Sequence, residues 1–462
     1  MGQNTNYATL SYSWGPTQPL TTTQSNLNSL LEKISVDSLP KTFHNAIDTV
    51  WELGLRYIWI DSLCIIQDDL NDWKREASRM KDVYAGSSVT ISASDAKEST
   101  QGCFVDHGLD LWERDARGVV PMVAAIRGKL ALEIRVHQGD IRRRVKRSNL
   151  STRGWTLQEQ LLSHRVIHCM RPEIHWNCRR KYHTESQFTF EGVRFKPFSS
   201  MFLPNNATTA EMKRLWSEWM TDYSSRNLTV TKDCIGALAG IVQYFGERTG
   251  FKHVLACWQE TLVDDLLWIR NGRLTDPSTI LSQVPSWSWL SRVRKIDFGF
   301  WHRVMARYEY VACDHIEILG CSVTWTGQPM VSDILSTNLV VEGPVLRMKL
   351  RIDPQAKVYN PPCMNVGDEA PDFSSHPIPW RCLGQYDIED DRQDDMFTCL
   401  LVRSVTPKYE KLPYGHGLQE TFLLLVPVED CEGTDYRRVG IAMIRGQESE
   451  FKSAPTQRIR IV

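Results

Sequence analysis

Nowhere in the 462 residues does an apolar run approach the roughly twenty residues that cross a bilayer, so no membrane helix is expected. No glycine-rich phosphate loop follows the first strand-like stretch: Trp14-Gly-Pro-Thr17 lacks both the glycine series and the lysine of a nucleotide-triphosphate loop, and ordinary dinucleotide-dependent redox chemistry is equally unsupported. No repeat recurs at a fixed period. Charge of one sign is also missing. Lys and Arg number 54 against 55 Asp and Glu, so nothing general draws the chain to nucleic acid. The one basic cluster, Arg142-Arg-Arg-Val-Lys-Arg147, is short and reads as a solvated loop or strand edge. Twelve cysteines are scattered from Cys64 to Cys431 without a dense framework, and no secretory leader precedes Tyr7. A reducing interior is expected, with cytoplasmic location as the default and the nucleus left open.

What is present is the balance of an ordinary folded protein, and 462 residues is long for one core, so two or three domains are expected. The organising stretch runs from Leu53 to Asp69. Residues 57–60 read as a buried strand ending at the carboxylate of Asp61, the end at which a doubly wound sheet keeps its ligand crevice. Upstream, residues 40–54 read as a helix with Thr42 as cap, Gly54 as stop, and Phe43, Ala46, Ile47, Val50 and Leu53 as its apolar stripe. Downstream, Asn71 or Asp72 opens a second helix in which Trp73, Ala77, Met80 and Tyr84 recur at the same period, and residues 89–93 form another strand. Residues 7–15 read as the first strand. In a parallel sheet the polar loop that follows it overhangs the same crevice, which would bring Ser13, Trp14 and Asp61 together.

Residues 119–136 supply one or two strands, and 165–170 with 173–178 a hairpin. Between Leu150 and Ser163 a loop enters a helix, with Thr156 and Glu159 at capping-box spacing. Helices are expected over 211–223, from Thr231 or Asp233 onward, and over 259–268. From about residue 293 the pattern becomes strand and turn, with strands at 308–313, 339–342, 345–352, 397–402, 420–428 and 436–444. Gly343-Pro344 breaks the second from the third, and 356–395 is a long loop. The expected architecture is α/β: a parallel sheet flanked by helices over 1–180, a helical segment over 181–290 completing that unit, and a β-rich domain over 291–462 that packs on it through Trp287 and Trp289.

Several strings carry a family likeness. Leu10-Ser-Tyr-Ser-Trp-Gly15, Leu39-Pro-Lys-Thr-Phe-His-Asn-Ala-Ile47, Tyr57-Ile-Trp-Ile-Asp-Ser-Leu-Cys-Ile-Ile-Gln-Asp68, Asp72-Trp-Lys-Arg-Glu76, Gly154-Trp-Thr-Leu-Gln-Glu159 and Pro285-Ser-Trp-Ser-Trp289 closely resemble the fungal heterokaryon incompatibility (HET) domain proteins. The first five cover roughly residues 10–159, while the last, with Tyr436-Arg-Arg-Val-Gly440, resembles the tails of such proteins. The resemblance implies recognition-dependent cell death in filamentous fungi, and a domain distantly similar to Toll/interleukin receptor-type (TIR) domains. Some of those relatives hydrolyse the nicotinamide glycosidic bond of NAD with a glutamate in the helix after a Trp. Asp72-Trp-Lys-Arg-Glu76 looks similar, although its carboxylate follows Trp73 by three residues where the related enzymes place it four on. On a helix that offset turns the side chain by about 100°. NAD is implied as a substrate, and no bound cofactor is.

Physically, Glu76 needs only a desolvated pocket to act as an acid, a base or a stabiliser of an oxocarbenium-like ribosyl centre, whereas on an exposed helix face it would simply pair with Arg79. Asp61 would hold a ribose hydroxyl or close a turn, and Trp14 would stack on a planar base. Cys64 is the other candidate nucleophile. It needs a helix N-terminus or one of His44, His168 and His175 to lower its pKa, and is otherwise an inert thiol. Arg153 and Trp155 would clamp an anion and a ring, and Glu159 would join them or satisfy the cap of Thr156. His168, Cys169, His175 and Cys178 do not form a zinc site, because alternation along a strand points His175 away from Cys178.

Three functions fit these residues. One is an enzyme of the NAD glycohydrolase type linked to incompatibility or cell death. Another is a stand-alone small-molecule enzyme of fungal secondary metabolism using the crevice around Trp14, Asp61 and Cys64. The third is a non-catalytic signalling module that self-associates as a homo-oligomer. The first two take a small-molecule ligand, and none calls for nucleic acid or membrane.

Overall fold

The computed structural model describes residues 5–104, 122–126, 130–134, 145, 148–170, 173–178, 181–185, 189–190, 207–270, 281–292, 295–298, 310–352, 364–366, 382–387, 396–407, 417–428 and 435–462. Most of the basic cluster at 142–147 lies outside them. The chain packs as two compact units, one of residues 1–207, 226–228 and 237–244, the other of 208–225, 229–236 and 245–462. Among the described residues no helix is long and apolar enough to cross a membrane.

Strands β1 (Ala8–Ser11), β2 (Ile58–Trp59) and β3 (Val89–Ser92) belong to the sheet of the first unit, and β4 (Met122–Ile126) and β5 (Leu130–Ile134) pair separately. The sheet continues through β6 (Arg165–Cys169), β7 (Ile174–Cys178), β8 (Tyr182–Thr184) and β9 (Thr189–Phe190), in the order β2-β1-β3-β6-β7-β8-β9. Pairing is parallel from β2 to β6, and the expected hairpin of β6 and β7 is antiparallel. Because β1 lies between β2 and β3, the chain steps from β1 to β2 on one side and then crosses over to β3 on the other. That switch point is where a doubly wound sheet opens beyond its carboxyl ends.

The helices that cover the sheet form where the apolar spacing places them. Among α1 (Leu27–Glu32), α2 (Lys41–Glu52), α3 (Asp61–Cys64), α4 (Leu70–Gly86) and α5 (Thr156–Leu162), α2 buries Phe43, Ala46 and Val50 against Ala8, Leu10, Val89 and Ile91. Its cap is not Thr42. Pro40 occupies that position, while the Thr42 hydroxyl accepts from the Gly102 amide at 3.1 Å, and Gly54 ends the helix region at φ 71°. Helix α4 is opened by Asp69, which accepts from the amides of Asn71 and Asp72 and so satisfies two otherwise free donors.

The opposite face of the sheet is polar. Thr9, Ser11, Thr90 and Ser92 are all buried there. Burial of hydroxyls is costly unless they are bonded. Thr9 and Thr90 meet at 2.6 Å, and Thr90 meets Ser163, just past α5, at 2.5 Å. Tyr84 of α4 and Leu162 of α5 pack in one apolar cluster with Met80, flanked by Trp59 and Trp155.

In the second unit the helix Thr209–Ser224 begins with a capping box between Thr208 and Glu211, and its Trp216 ring lies 4.9 Å from both Phe245 and Trp258. The large sheet runs in the order Tyr310–Asp314, Met396–Pro407, Leu418–Pro427, Asp435–Gly446, Thr456–Ile461, Ile334–Ile352, Glu317–Trp325. Ile334–Ile352 also pairs with Met396–Pro407, so five strands close on themselves around Phe397, Leu401, Phe422, Leu424 and Val439.

The expected break at Gly343-Pro344 is absent. One strand passes through both residues, pairing them with Gln457 and Thr456, then changes partner at Val345. Proline can sit at such a hand-over because the ladder asks little of its missing N–H, and glycine admits the close approach of Ile316 and the His315 carbonyl. The expected loop over 356–395 also contains strands, Met364–Val366 and Cys382–Tyr386. Trp287 and Trp289 are buried inside this second unit, Trp289 against Tyr223 and Phe298.

Candidate functional site

The site is built where β1 and β2 end. The loop after β1 is tied to the segment after β2, because the Thr22 amide donates to Ser62 O at 2.8 Å and the Gln67 amide donates to Thr22 O at 2.8 Å. Trp14 is thereby carried to Asp61, and its indole Nε1 donates to Asp61 Oδ2 at 3.1 Å. The other Asp61 oxygen accepts the Ser62 amide at 2.7 Å. Burial raises the pKa of Asp61. Hydrogen bonds from Tyr12, Trp14 and the Ser62 amide, and the charge of Arg153, work against that rise.

Glu159 is the second carboxylate of the site. Helix α5 is buried along its whole length, and Glu159 is only 8% exposed. The hydroxyls of Ser11 and Tyr84 lie toward its carboxylate. Burial pushes its pKa up to about 7. The charge of Asp61 adds to the rise, while Ser11, Arg153 and Tyr84 oppose it. The expected capping box of Thr156 and Glu159 does not form. Trp155 stands at the cap with no side-chain bond, and Thr156 Oγ1 donates back to the Leu150 carbonyl at 2.8 Å. Arg153 sits between the two acids electrically, and its Nη1 is fixed on the Tyr12 carbonyl at 2.7 Å.

The hydroxyls of Ser11, Tyr12 and Ser62 are all buried in this neighbourhood, Ser11 toward Glu159 and Tyr12 toward Asp61 and Ser62. Ser13 is buried beside them, and Trp14, Asp61, Arg153 and Trp155 are half-buried.

The remaining candidates lie on its flank. Glu76 of α4 has a side chain 14% exposed, and its carboxylate is 3.4 Å from Arg75 Nε and 3.3 Å from Arg79 Nη1. Cys64 is an exposed residue whose thiol is nonetheless desolvated enough to raise its pKa, and the carboxylates of Asp61 and Glu76 push the same way. Such surroundings keep the thiol protonated, so no nucleophilic step is assigned to it. His168 and His175 face one another across β6 and β7, with His168 driven down to about 3 by burial and by His175. Among the described residues no group of three or more His, Cys, Asp or Glu is arranged to hold a metal ion. Trp155 meets Trp73 edge to face at 5.9 Å.

Tyr12, Ser11, Ser62 and Tyr84 were not among the expected site residues. Only Ser11 carries a local sign, a hydroxyl at a strand position where an apolar side chain is usual; Tyr12 follows that strand, and Ser62 and Tyr84 sit on α3 and α4. Gly15 is a further requirement, with φ 81° and space for a Cβ only 2.1 Å from Glu98 Cβ. Gly15→Ala is therefore expected to destabilise the fold by about 1–3 kcal/mol and to displace Trp14. A melting temperature and a tryptophan emission both equal to those of the wild type would contradict this.

Together these features define an α/β protein with a partly parallel sheet and, beyond its strand ends, a buried carboxylate, Glu159, that feels the charge of the half-buried Asp61. Residues 7–159 match the family model described as heterokaryon incompatibility protein (HET), and the chain carries a HET domain. No curated protein and no solved structure matches it.

Proposed function

We propose that the HET domain of this chain is a TIR-like crevice that cleaves the nicotinamide–ribose bond of NAD. The observation that carries the reading is that the buried Glu159 and the half-buried Asp61 feel one another's charge at the strand ends. Glu159 follows Trp155 by four residues, the offset of the related enzymes, and Glu76 does not have that offset from Trp73. The catalytic carboxylate is accordingly Glu159, with Glu76 held by its two arginines on the flank.

In this reading Trp14 stacks on a planar base and the hydroxyls near Asp61 bind the ribose diol. The C1′–N bond breaks as its electron pair leaves with neutral nicotinamide. The ionised Glu159 stabilises the cationic C1′ and accepts a proton from the water that attacks it. NAD and water become ADP-ribose, nicotinamide and a proton.

The purified chain should release nicotinamide from NAD. Trp14→Ala should raise KM by an amount equivalent to about 1–3 kcal/mol of lost stacking. Chromatography that finds NAD intact after prolonged incubation with the folded wild type would overturn the reading.

A further inference from the structure

Residues 226–228 lie beyond the stretch matched by the HET family model, yet they pack within the first unit while the residues on either side of them belong to the second. They run beside the turn that carries Arg153 and Trp155. Arg153 and Asn227 form a parallel bridge, in which the Gly154 amide donates to Asn227 O at 2.8 Å and the Asn227 amide donates to Thr152 O at 2.5 Å. Leu228 occupies the space left by the missing side chain of Gly154, since a Cβ there would stand 2.5 Å from Leu228 Cδ2. Arg226 Nη1 donates to Thr156 Oγ1 at 3.0 Å and to the Arg153 carbonyl at 3.4 Å.

These contacts fall where α5 lacks a fastening of its own. No side chain caps its N-terminus. With Arg226 donating to its oxygen, the Thr156 hydroxyl must direct its own proton to a backbone carbonyl, Leu150 O at 2.8 Å or Arg153 O at 2.9 Å. One guanidinium thus fixes the residue that precedes Trp155 by two and the first residue of the helix that bears Glu159.

We propose that residues 226–228 are a strap that sets the Arg153–Glu159 segment against Asp61, with Arg226 as a positioning residue. Its catalytic half rests on the NAD-cleaving reading. Arg226 touches no substrate in this scheme and acts through the placement of Arg153 and Glu159, so its loss falls on turnover and spares the stacking of a base on Trp14.

Full-length Arg226→Met and Leu228→Ala chains, with Arg226→Lys as the conservative control, test this by hydrogen exchange and by nicotinamide release. Exchange in peptides spanning 150–158 should quicken about tenfold or more in the first two, with β1 and β3 unchanged. Turnover should fall on the order of 10- to 100-fold with KM nearly constant, and Arg226→Lys should recover part of it. Unchanged exchange at 150–158 in both variants overturns the strap, as does unchanged turnover where the wild type cleaves NAD. A wild type that leaves NAD intact removes the NAD-cleaving reading instead, and the exchange result then decides the strap alone.

Discussion

Glu159→Gln is expected to slow nicotinamide release by about 10²–10⁴-fold while making the folded chain more stable than the wild type at pH 8. The two effects have one origin. Burial holds the Glu159 pKa at about 7, against an ordinary value of 4.5, so the folded state binds its proton more tightly than the unfolded state does. Stability contributed by that proton is complete below the unfolded value and is lost as pH rises through the folded one. The loss amounts to about 3 kcal/mol across the window from roughly pH 4.5 to 7. Glutamine carries no charge at any pH, so the variant should gain on the wild type progressively over the same window. Urea denaturation at pH 5 and pH 8 measures the difference, and parallel curves at both values would remove the ionisation from the account.

Catalysis should show the opposite dependence. The ionised carboxylate is the active form in the proposed mechanism, so nicotinamide release should climb between about pH 6 and 8, and Glu159→Gln should lose about 10²–10⁴-fold. The positive charge of the nicotinamide ring, brought beside Glu159 and Asp61, favours their ionised forms. The apparent pKa for kcat should therefore lie below that for kcat/KM. A glutamine variant that cleaves NAD at the wild-type rate would return Glu159 to a purely structural part.

Much of the frame was readable because it rests on local periodicity. Phe43, Ala46 and Val50 of α2 and the β6–β7 hairpin follow from spacing that the chain carries within a dozen residues, whereas Ile47 and Leu53 of the expected stripe are exposed and the expected buried strand over 57–60 shortens to Ile58–Trp59, half-buried at the sheet edge. The meeting of Trp14 with Asp61 also followed, because parallel strands put their loops at one end. Glu159 was read less well. Its distance from Thr156 imitates a capping box, and only the tertiary arrival of Ser11, Tyr84 and Asp61 turns it away from the helix end. Likewise Gly343-Pro344 has the composition of a break. Its place in a continuous strand depends on Thr456–Ile461, more than a hundred residues later, whose own alternation is too short to announce itself.

Arg438→Met should destabilise the second unit by about 3–5 kcal/mol, the cost of leaving a buried partner charge unpaired. Arg438 and Asp387 are both fully buried, and Arg438 Nε donates to Asp387 Oδ2 at 2.9 Å. Its Nη1 and Nη2 donate to the carbonyls of Leu266 and Trp268 at 2.6 and 2.8 Å, and the guanidinium lies 3.7 Å from the Trp268 ring centre. An irregularity in the ladder prepares this. Leu424 pairs with Gly440 and Leu425 with Arg438, so Val439 is the extra residue of a bulge, and bulges re-aim their neighbours. The Arg438 amide then donates to Ser286 Oγ at 2.9 Å, and Trp268 Nε1 donates to the Trp287 carbonyl at 3.0 Å. Two distant strings, Pro285-Ser-Trp-Ser-Trp289 and Tyr436-Arg-Arg-Val-Gly440, thus have a structural use in the second unit: they interlock around one buried cation. Replacing Asp387 with Asn in the Arg438→Met background should recover part of the loss, because the orphaned charge goes, but not all, because two carbonyls still lack their donor. A single Arg438→Met chain whose urea midpoint matches the wild type would mean that the packing around Trp268, and not this ion pair, holds the two strings together.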